Sequence, residues 1–438
     1  VLMRGKTSRS PTPHVGQLHR FDGVNAVPQL TLFADTEPVR AARPKAVPVS
    51  PSATALQSLL ARAAFQPRDY QQRIVQQVCD HFVGESVDSG GVRQRAARSV
   101  MLESPTGSGK TLMGLCVAHV LQQAYGYRCC WVAMRRNLLS QADRENRNHG
   151  INADVAFLSL FAREAPPELV NRGNRPLLLI VDEAQHDPVD SAARLHHELR
   201  PQKVLGLTAT PFRTDRLKLV FERVVRDMGI QELIDAGYLS RYQHYTVPAW
   251  DPRRVADLYA AEPQRWGQSL MFFMRREDCQ ACQQALAEQG ISSELVTAES
   301  DRDRQLQDFE SGRVQVLISM RVLTEGFDCP SLRTVFCRPS GRLCVTQMAG
   351  RVFRQHPNII HKQIVQCEQT QYPFTRTARP TRQYLWSESG WRTLDVNPSI
   401  TDVSRRCLAA LARVQQRKLP RYLTRHRKKR NQPQSEGD

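Results

Sequence analysis

The sequence contains no stretch near the ~18 consecutive apolar residues that a membrane-spanning helix needs, so helical membrane classes are set aside. It also lacks the apolar core of a secretory signal at its start, and a cytoplasmic location is the expectation. No short-period internal repeat and no convincing nuclease constellation can be read from it. Eleven cysteines include a single C-x-x-C, Cys279 and Cys282, without a second pair at zinc-finger distance. The residues between and after them read as helix, so they are taken as reduced cytosolic thiols.

What is present is balanced for a soluble globular protein, with 24% charged and 41% hydrophobic residues. The 438 residues allow two or three domains at roughly 100–200 residues each. A formal net charge of +18 points to a polyanionic partner. Basicity alone decides little, because many basic proteins bind no nucleic acid.

Residues 1–55 are rich in Pro, Ser, Thr and Ala and read as a disordered tail. From Gln415 onward a basic run (Arg417, Lys418, Arg421, Arg425, Arg427 to Arg430) is either solvated or touches nucleic acid directly. Between these tails, short apolar runs alternate with helix-like segments, the pattern of parallel sheets flanked by helices. Strands are expected at Ser99–Glu103, Cys129–Ala133, Leu177–Val181 and Lys203–Leu207, then at Leu270–Phe273, Glu294–Thr297, Val316–Ser319 and Thr334–Cys337. Amphipathic helices such as Leu112–Gln123 and Glu277–Gln289 lie between them. The expectation is two tandem α/β domains, 56–245 and 246–375, followed by an extension and basic tail over 376–438. Little follows from residues 361–412; Trp386 and Trp391 there read as core before base stacking.

Three segments carry chemistry. Ser104-Pro105-Thr106-Gly107-Ser108-Gly109-Lys110-Thr111 follows a strand and opens a helix, as a phosphate loop must. Gly107 and Gly109 let backbone N–H groups converge on phosphate oxygens, Lys110 reaches the β- and γ-phosphates, and the Thr111 hydroxyl suits Mg²⁺. The helix N-terminus adds a favourable dipole. Leu177–Gln185 is a buried strand ending in Asp182 and Glu183, at the carboxyl edge where such sheets bind ligands. Asp182 is placed to hold Mg²⁺ through water and Glu183 to orient and deprotonate the attacking water. The plainer reading of the pair is an acidic helix cap. Third, Thr208 and Thr210 in Gly206–Pro211 end another apolar strand, where their hydroxyls could connect the γ-phosphate region to the next domain.

This ordered set, completed by L-T-E-G-F-D and Q-x-x-G-R-x-x-R, resembles the superfamily-2 helicases of the D-E-A-D/D-E-A-H type from about Phe65 to Arg354. The resemblance implies two tandem RecA-like domains, each a mostly parallel sheet flanked by helices, with ATP and Mg²⁺ in the cleft between them. It implies adenine recognition by Arg68 and Gln71, strand contact by Arg135, Arg136, Thr208, Thr210, Thr324 and Gln347, and a ribose and backbone contact through Gly326 and Asp328. Arg351 and Arg354 would reach the γ-phosphate from the opposite wall, and such arginines contribute roughly 10³–10⁵ in rate. Two departures stand out. D-E-A-Q replaces the usual tetrad, leaving Gln185 to bond across the cleft, and Met348 stands where RNA-directed members generally carry Arg. With L-T-E-G-F-D-C-P, this looks nearer the DNA-directed branch that includes XPB, UvrB-like proteins and restriction-enzyme motor subunits.

Gln29-Leu30-Thr31-Leu32-Phe33 resembles the bacterial sliding-clamp-binding pentapeptide. Leu32 and Phe33 would bury in a pocket while Gln29 bonds at its rim, alongside Leu30. The plainer reading is an apolar stretch that packs on the protein's own core. The reading that emerges is an ATP-dependent helicase or translocase on DNA. The alternatives are an RNA helicase, or a nucleic-acid-binding scaffold with a weakly active ATPase site.

Overall fold

The computed structural model describes residues 50–86, 90–170, 175–186, 189–210, 220–297, 299–320, 327, 329–387 and 390–394, and every count below refers to these. Leading elements are helices α1 (Pro51–Arg62) and α2 (Asp69–Val83). The first sheet then collects strands β1 (Ser99–Glu103), β2 (Arg128–Ala133), β3 (Val155–Ser159), β4 (Leu177–Val181), β5 (Lys203–Thr208) and β6 (Arg223–Val225). Its intervening helices are α3 (Lys110–Tyr125), α4 (Arg136–Asn148), α5 (Pro167–Val170) and α6 (Val189–Leu199), with α7 (Ile230–Asp235) after the last strand.

The spatial order β3-β2-β4-β5-β1-β6 is parallel throughout. β4 reads Leu-Leu-Leu-Ile-Val and is buried along its whole length, as a strand covered on both faces requires. Because β5 lies between β4 and β1, the end of β5 falls between the phosphate loop and the acid pair.

The second sheet runs β14-β13-β7-β12-β11-β8-β10-β9. Its strands are β7 (Arg241–Val247), β8 (Ser269–Phe272), β9 (Ser293–Val296), β10 (Val316–Ser319), β11 (Thr334–Phe336), β12 (His361–Cys367), β13 (Arg382–Ser387) and β14 (Gly390–Leu394). Helices α8 (Pro252–Ala261), α9 (Pro263–Trp266), α10 (Arg276–Glu288), α11 (Arg302–Glu310) and α12 (Arg342–Gly350) flank it. Only the β13–β14 hairpin is antiparallel among these pairs.

The fold class expected from the sequence is the one observed, with three shifts. The first is at the tail: α1 already begins at Pro51, so the last residues of the expected tail are helical. The second is at the junction. β7 pairs with β12 and β13, so the change of sheet falls before Arg241 and not at 245–246. The third concerns residues 361–394, which supply β12 to β14 and carry the second domain past 375. There Trp391 packs edge-on against Trp266 and Tyr245, so the tryptophans of this segment join the core cluster and do not stand out for base stacking. Cys279 and Cys282 are fully buried on α10, and burial pushes the Cys282 thiol up to about 12, which confirms a packing role.

Candidate nucleotide site

The phosphate loop leaves β1 at Glu103 and enters α3 at Lys110. Gly107 and Gly109 both sit at φ +84°, a conformation that side-chain-bearing residues rarely adopt. A Cβ on Gly109 would stand 2.6 Å from Gln71 Nε2, so the loop lies directly against the start of α2. Tyr70 Oη and Gln71 Nε2 both donate to the Ser108 carbonyl, at 2.6 and 2.8 Å, while Gln71 Oε1 accepts from the Arg68 N–H at 2.9 Å. The Gln71 amide therefore holds the loop's shape, and Gln71 and Arg68, expected at the adenine, both line the cavity beside it. Arg68 stacks over Tyr238 with its guanidinium 4.9 Å from the ring centre.

Lys110 is buried, with Nζ 3.2 Å from the Ser104 carbonyl and 3.3 Å from that of Pro105. Burial lowers its pKa, opposed by the charges of Glu183 and Asp182. Asp182 is raised to about 7, first by burial and then by the neighbouring Glu183. Its Oδ1 accepts from the Glu183 N–H at 3.0 Å. Glu183 takes φ +51°, one of three non-glycine residues in the left-handed region among those described.

The Glu183 carboxylate is met by Gln185, whose Nε2 donates to Glu183 Oε2 at 2.6 Å. Gln185 Oε1 lies 2.5 Å from the Thr208 hydroxyl, which also contacts the Thr210 carbonyl at 2.5 Å and accepts from the Thr210 N–H at 3.0 Å. Gln185 is 1% exposed and Thr208 fully buried. Both expectations for these residues are corrected. Gln185 bonds sideways within its own sheet and not across the cleft, and Thr208 faces Gln185 and not a nucleic-acid strand. The cause is the strand order, which sets the end of β5 beside the acid pair.

The other wall comes from α12 and the turn after it. Arg354 Nη1 donates to the Gly107 carbonyl at 3.3 Å, crossing from the second domain to the phosphate loop. Arg351 faces the same cavity while its Nη1 donates to the Phe327 carbonyl at 3.2 Å, so it lines the wall from within its own domain. A Cβ on Gly350 would come 3.0 Å from Thr106 Cβ, so a side chain before Arg351 would crowd the phosphate loop. Ser240 fastens this turn to the crossover between domains: its N–H donates to the Phe353 carbonyl at 3.0 Å and its hydroxyl to that of Arg354 at 3.1 Å.

Between these walls is a cavity of about 490 Å³. Thr106 to Leu112, Asp182, Glu183, Arg351 and Arg354 line it, with Phe65, Gln66, Arg68, Gln71 and Phe327. The donor set fits a magnesium triphosphate: ammonium and guanidinium groups for phosphate, and the Thr111 hydroxyl with the Asp182 carboxylate for a hard cation. Among the described residues no cluster of three His, Cys, Asp or Glu side chains offers a protein-only metal cage, and a phosphate-bridged Mg²⁺ needs none.

Several expected contacts are not brought to an open surface. Gln347 is buried on α12, and Thr210 is turned into the Thr208 bond. Arg135 caps α4 and Arg136 beside it is exposed, as strand contacts require. Thr324, Gly326, Asp328, Gln29, Leu30, Leu32, Phe33 and the basic run after Gln415 lie outside the described residues. Sequence reasoning missed Tyr70, Tyr238, Ser240 and the cavity-lining face of α4. No motif marks them, since each acts through a neighbour distant in the chain.

The model of the type III restriction enzyme res subunit matches residues 64–164, and that of the helicase conserved C-terminal domain matches residues 252–356. In this order the two matches give the chain the paired domains of a superfamily-2 helicase. A 51.5 kDa protein of a Lactococcus phage is 25% identical over 274 residues, 56% of this chain and 60% of the relative. A Saccharomyces cerevisiae protein assigned as ATP-dependent helicase IRC3 is 25% identical over 229 residues, 43% of this chain and 33% of the relative. The matches thus span only part of each relative's length. A solved ATP-dependent type ISP restriction-modification enzyme, LlaBIII bound to DNA, shares the fold with TM-score 0.53 at 16% identity, over 71% of this chain and 28% of that one.

Proposed function

We propose that this chain is an ATP-hydrolysing motor that moves on nucleic acid, with DNA as its track. The observation that carries the reading is the reach of Arg354 from the second domain to the Gly107 carbonyl, opposite Lys110, Asp182 and Glu183. One composite site built from two domains makes their relative position depend on what occupies the cleft. Mg²⁺–ATP would supply the anhydride to be cleaved and the metal charge that neutralises it. Lys110 and Arg354 bring positive charge to the phosphates from opposite walls, Thr111 and Asp182 would hold the cation, and Arg351 completes the second wall. Glu183, aimed by Gln185, is the base placed to orient a water and accept its proton.

DNA is favoured by the restriction-subunit family match, by Met348 in the Q-x-x-G-R-x-x-R segment and by the L-T-E-G-F-D-C-P segment. Arg135 and Arg136 would grip phosphates, and Gln29–Phe33 would tether the motor to a sliding clamp. The test is ATP hydrolysis with single-stranded DNA, duplex DNA or RNA added in turn. DNA is expected to stimulate, and Lys110→Ala to abolish turnover. Stimulation by RNA alone would overturn the choice of track, and full activity of Lys110→Ala would overturn the motor. For the tether, loss of clamp capture in Phe33→Ala is expected, and undiminished capture removes it.

A further inference from the structure

Helix α4 connects the two activities just proposed. It starts at the grip, with Arg135 as its N-terminal cap and Arg136 exposed. Further along, Leu138, Gln141 and Glu145, and His149 at its C-terminal cap, line the nucleotide cavity. Their spacing of three and four residues makes one continuous stripe, so a single face of the helix looks into the cleft. Gln141 Nε2 donates to Glu145 Oε1 at 2.8 Å, which fixes the direction of that carboxylate. Glu145 lines the same cavity as Asp182, Glu183 and Lys110. The cleft therefore holds a third carboxylate besides the two legible in the D-E-A-Q strand.

Only the family's strand-contacting end of α4 was expected to matter. An ordinary Gln–Glu pair four residues apart on a solvated helix face adds a few tenths to the helix and nothing else. This pair lies on the inner stripe, in the same cavity as Lys110 and Asp182. A helix of thirteen residues rises about 20 Å and moves as one body, so a pull at its first turn displaces its later turns.

We propose that Glu145 is a positioning residue that transmits strand binding at the start of α4 to Asp182 and the bound nucleotide. The proposal rests on the motor reading above and assigns that motor one route of coupling. Phosphates gripped at Arg135 and Arg136 reset where α4 sits, and the Glu145 carboxylate changes its distance from the Mg²⁺-holding acid.

Coupling between two ligands is reciprocal, so it can be measured from either side. Anisotropy of a labelled single-stranded DNA oligonucleotide, with and without Mg²⁺ and a non-hydrolysable ATP analogue, gives the factor by which nucleotide changes DNA affinity. For the wild type a factor of about 5–150 is expected. Glu145→Gln, which keeps shape and removes charge, should bring it toward one, and Gln141→Ala should move it the same way. The ratio is the readout, because a merely structural loss would weaken both states alike. An unchanged factor in Glu145→Gln overturns the proposal; should that variant melt early, the Gln141→Ala factor decides. A wild type that binds DNA and hydrolyses ATP with a factor of one sinks this inference alone. A wild type that neither binds DNA nor hydrolyses ATP sinks the motor reading itself.

Discussion

Gln185 occupies the place where the family tetrad ends, and its bonds set how far its loss should be felt. Its Nε2 holds Glu183 Oε2 at 2.6 Å and its Oε1 holds the buried Thr208 hydroxyl at 2.5 Å. Gln185→Met keeps the volume and removes both polar ends. A hydrogen bond to a charged group contributes about 1.5–3 kcal/mol. If that energy serves to hold Glu183 in its working direction, kcat for ATP hydrolysis falls by about 10–100-fold, at roughly 1.4 kcal/mol per tenfold. KM should change little, because neither Gln185 nor Thr208 is among the residues lining the cavity. Thr208→Val breaks the same chain one link further on, and the two substitutions should be non-additive by about 0.5–3 kcal/mol. Steady-state kinetics of the two single variants and the double variant, with thermal melts to show folding, complete the test. Additive losses, or a raised KM at constant kcat, would refute the idea that Gln185 works by aiming Glu183.

Three further outcomes follow from the same geometry. Arg354→Ala should lower nucleic-acid-stimulated hydrolysis by about 10³-fold or more while nucleotide binding persists, and Arg354→Lys should not restore it; near-normal turnover in either would remove Arg354 from the site. Asp182 is raised to about 7 in the protein without bound metal, so its contribution to stability is present below its unfolded pKa and lost as pH rises through about 7. Melting of metal-free protein from pH 5 to 8 should therefore fall relative to Asp182→Asn as pH rises, and parallel curves would show that this carboxylate is not penalised by burial. Gly350→Val should cost about 1–3 kcal/mol of closure against Thr106, with Gly350→Ala milder, visible as lost turnover without a lower melting temperature.

How much of this was legible in the sequence depends on how far apart in the chain the interacting groups lie. The phosphate loop, the acid pair and α12 were readable because each is a local run of residues whose spacing suffices for its chemistry. β4 was readable because a strand buried on both faces is apolar throughout. β12, by contrast, reads His-Lys-Gln-Ile-Val-Gln-Cys, yet all but its first residue are buried. Its polar side chains are satisfied by partners far away: Lys362 Nζ donates to the Pro330 and Leu332 carbonyls at 2.6 Å, and Gln366 Oε1 accepts from the Phe374 N–H at 2.7 Å. A composition rule reads such a segment as exposed, because the compensation appears only after folding.

The same blindness misplaced Gln185 and Thr208. Each was assigned an outward-facing role from its motif letter, and each spends its polar atoms on a neighbour within the first domain. Residue type told that a hydrogen-bonding group was needed there; the order β4-β5-β1 told which partner it meets. That distinction bears on D-E-A-Q directly. In this fold a residue at position 185 can serve only what β5 and Glu183 present to it, so its identity tunes the base and the strand-end turn together. A histidine there would offer its two ring nitrogens to the same two partners, one as donor and one as acceptor, with the assignment set by protonation. Gln185→His should consequently retain activity where neutral imidazole can donate to Glu183 and accept from Thr208. It should lose activity at low pH, where the doubly protonated ring can no longer accept, while the wild-type glutamine, which does not titrate, should show no such step. Identical acid limbs for the two proteins would separate Gln185 from the aiming of Glu183.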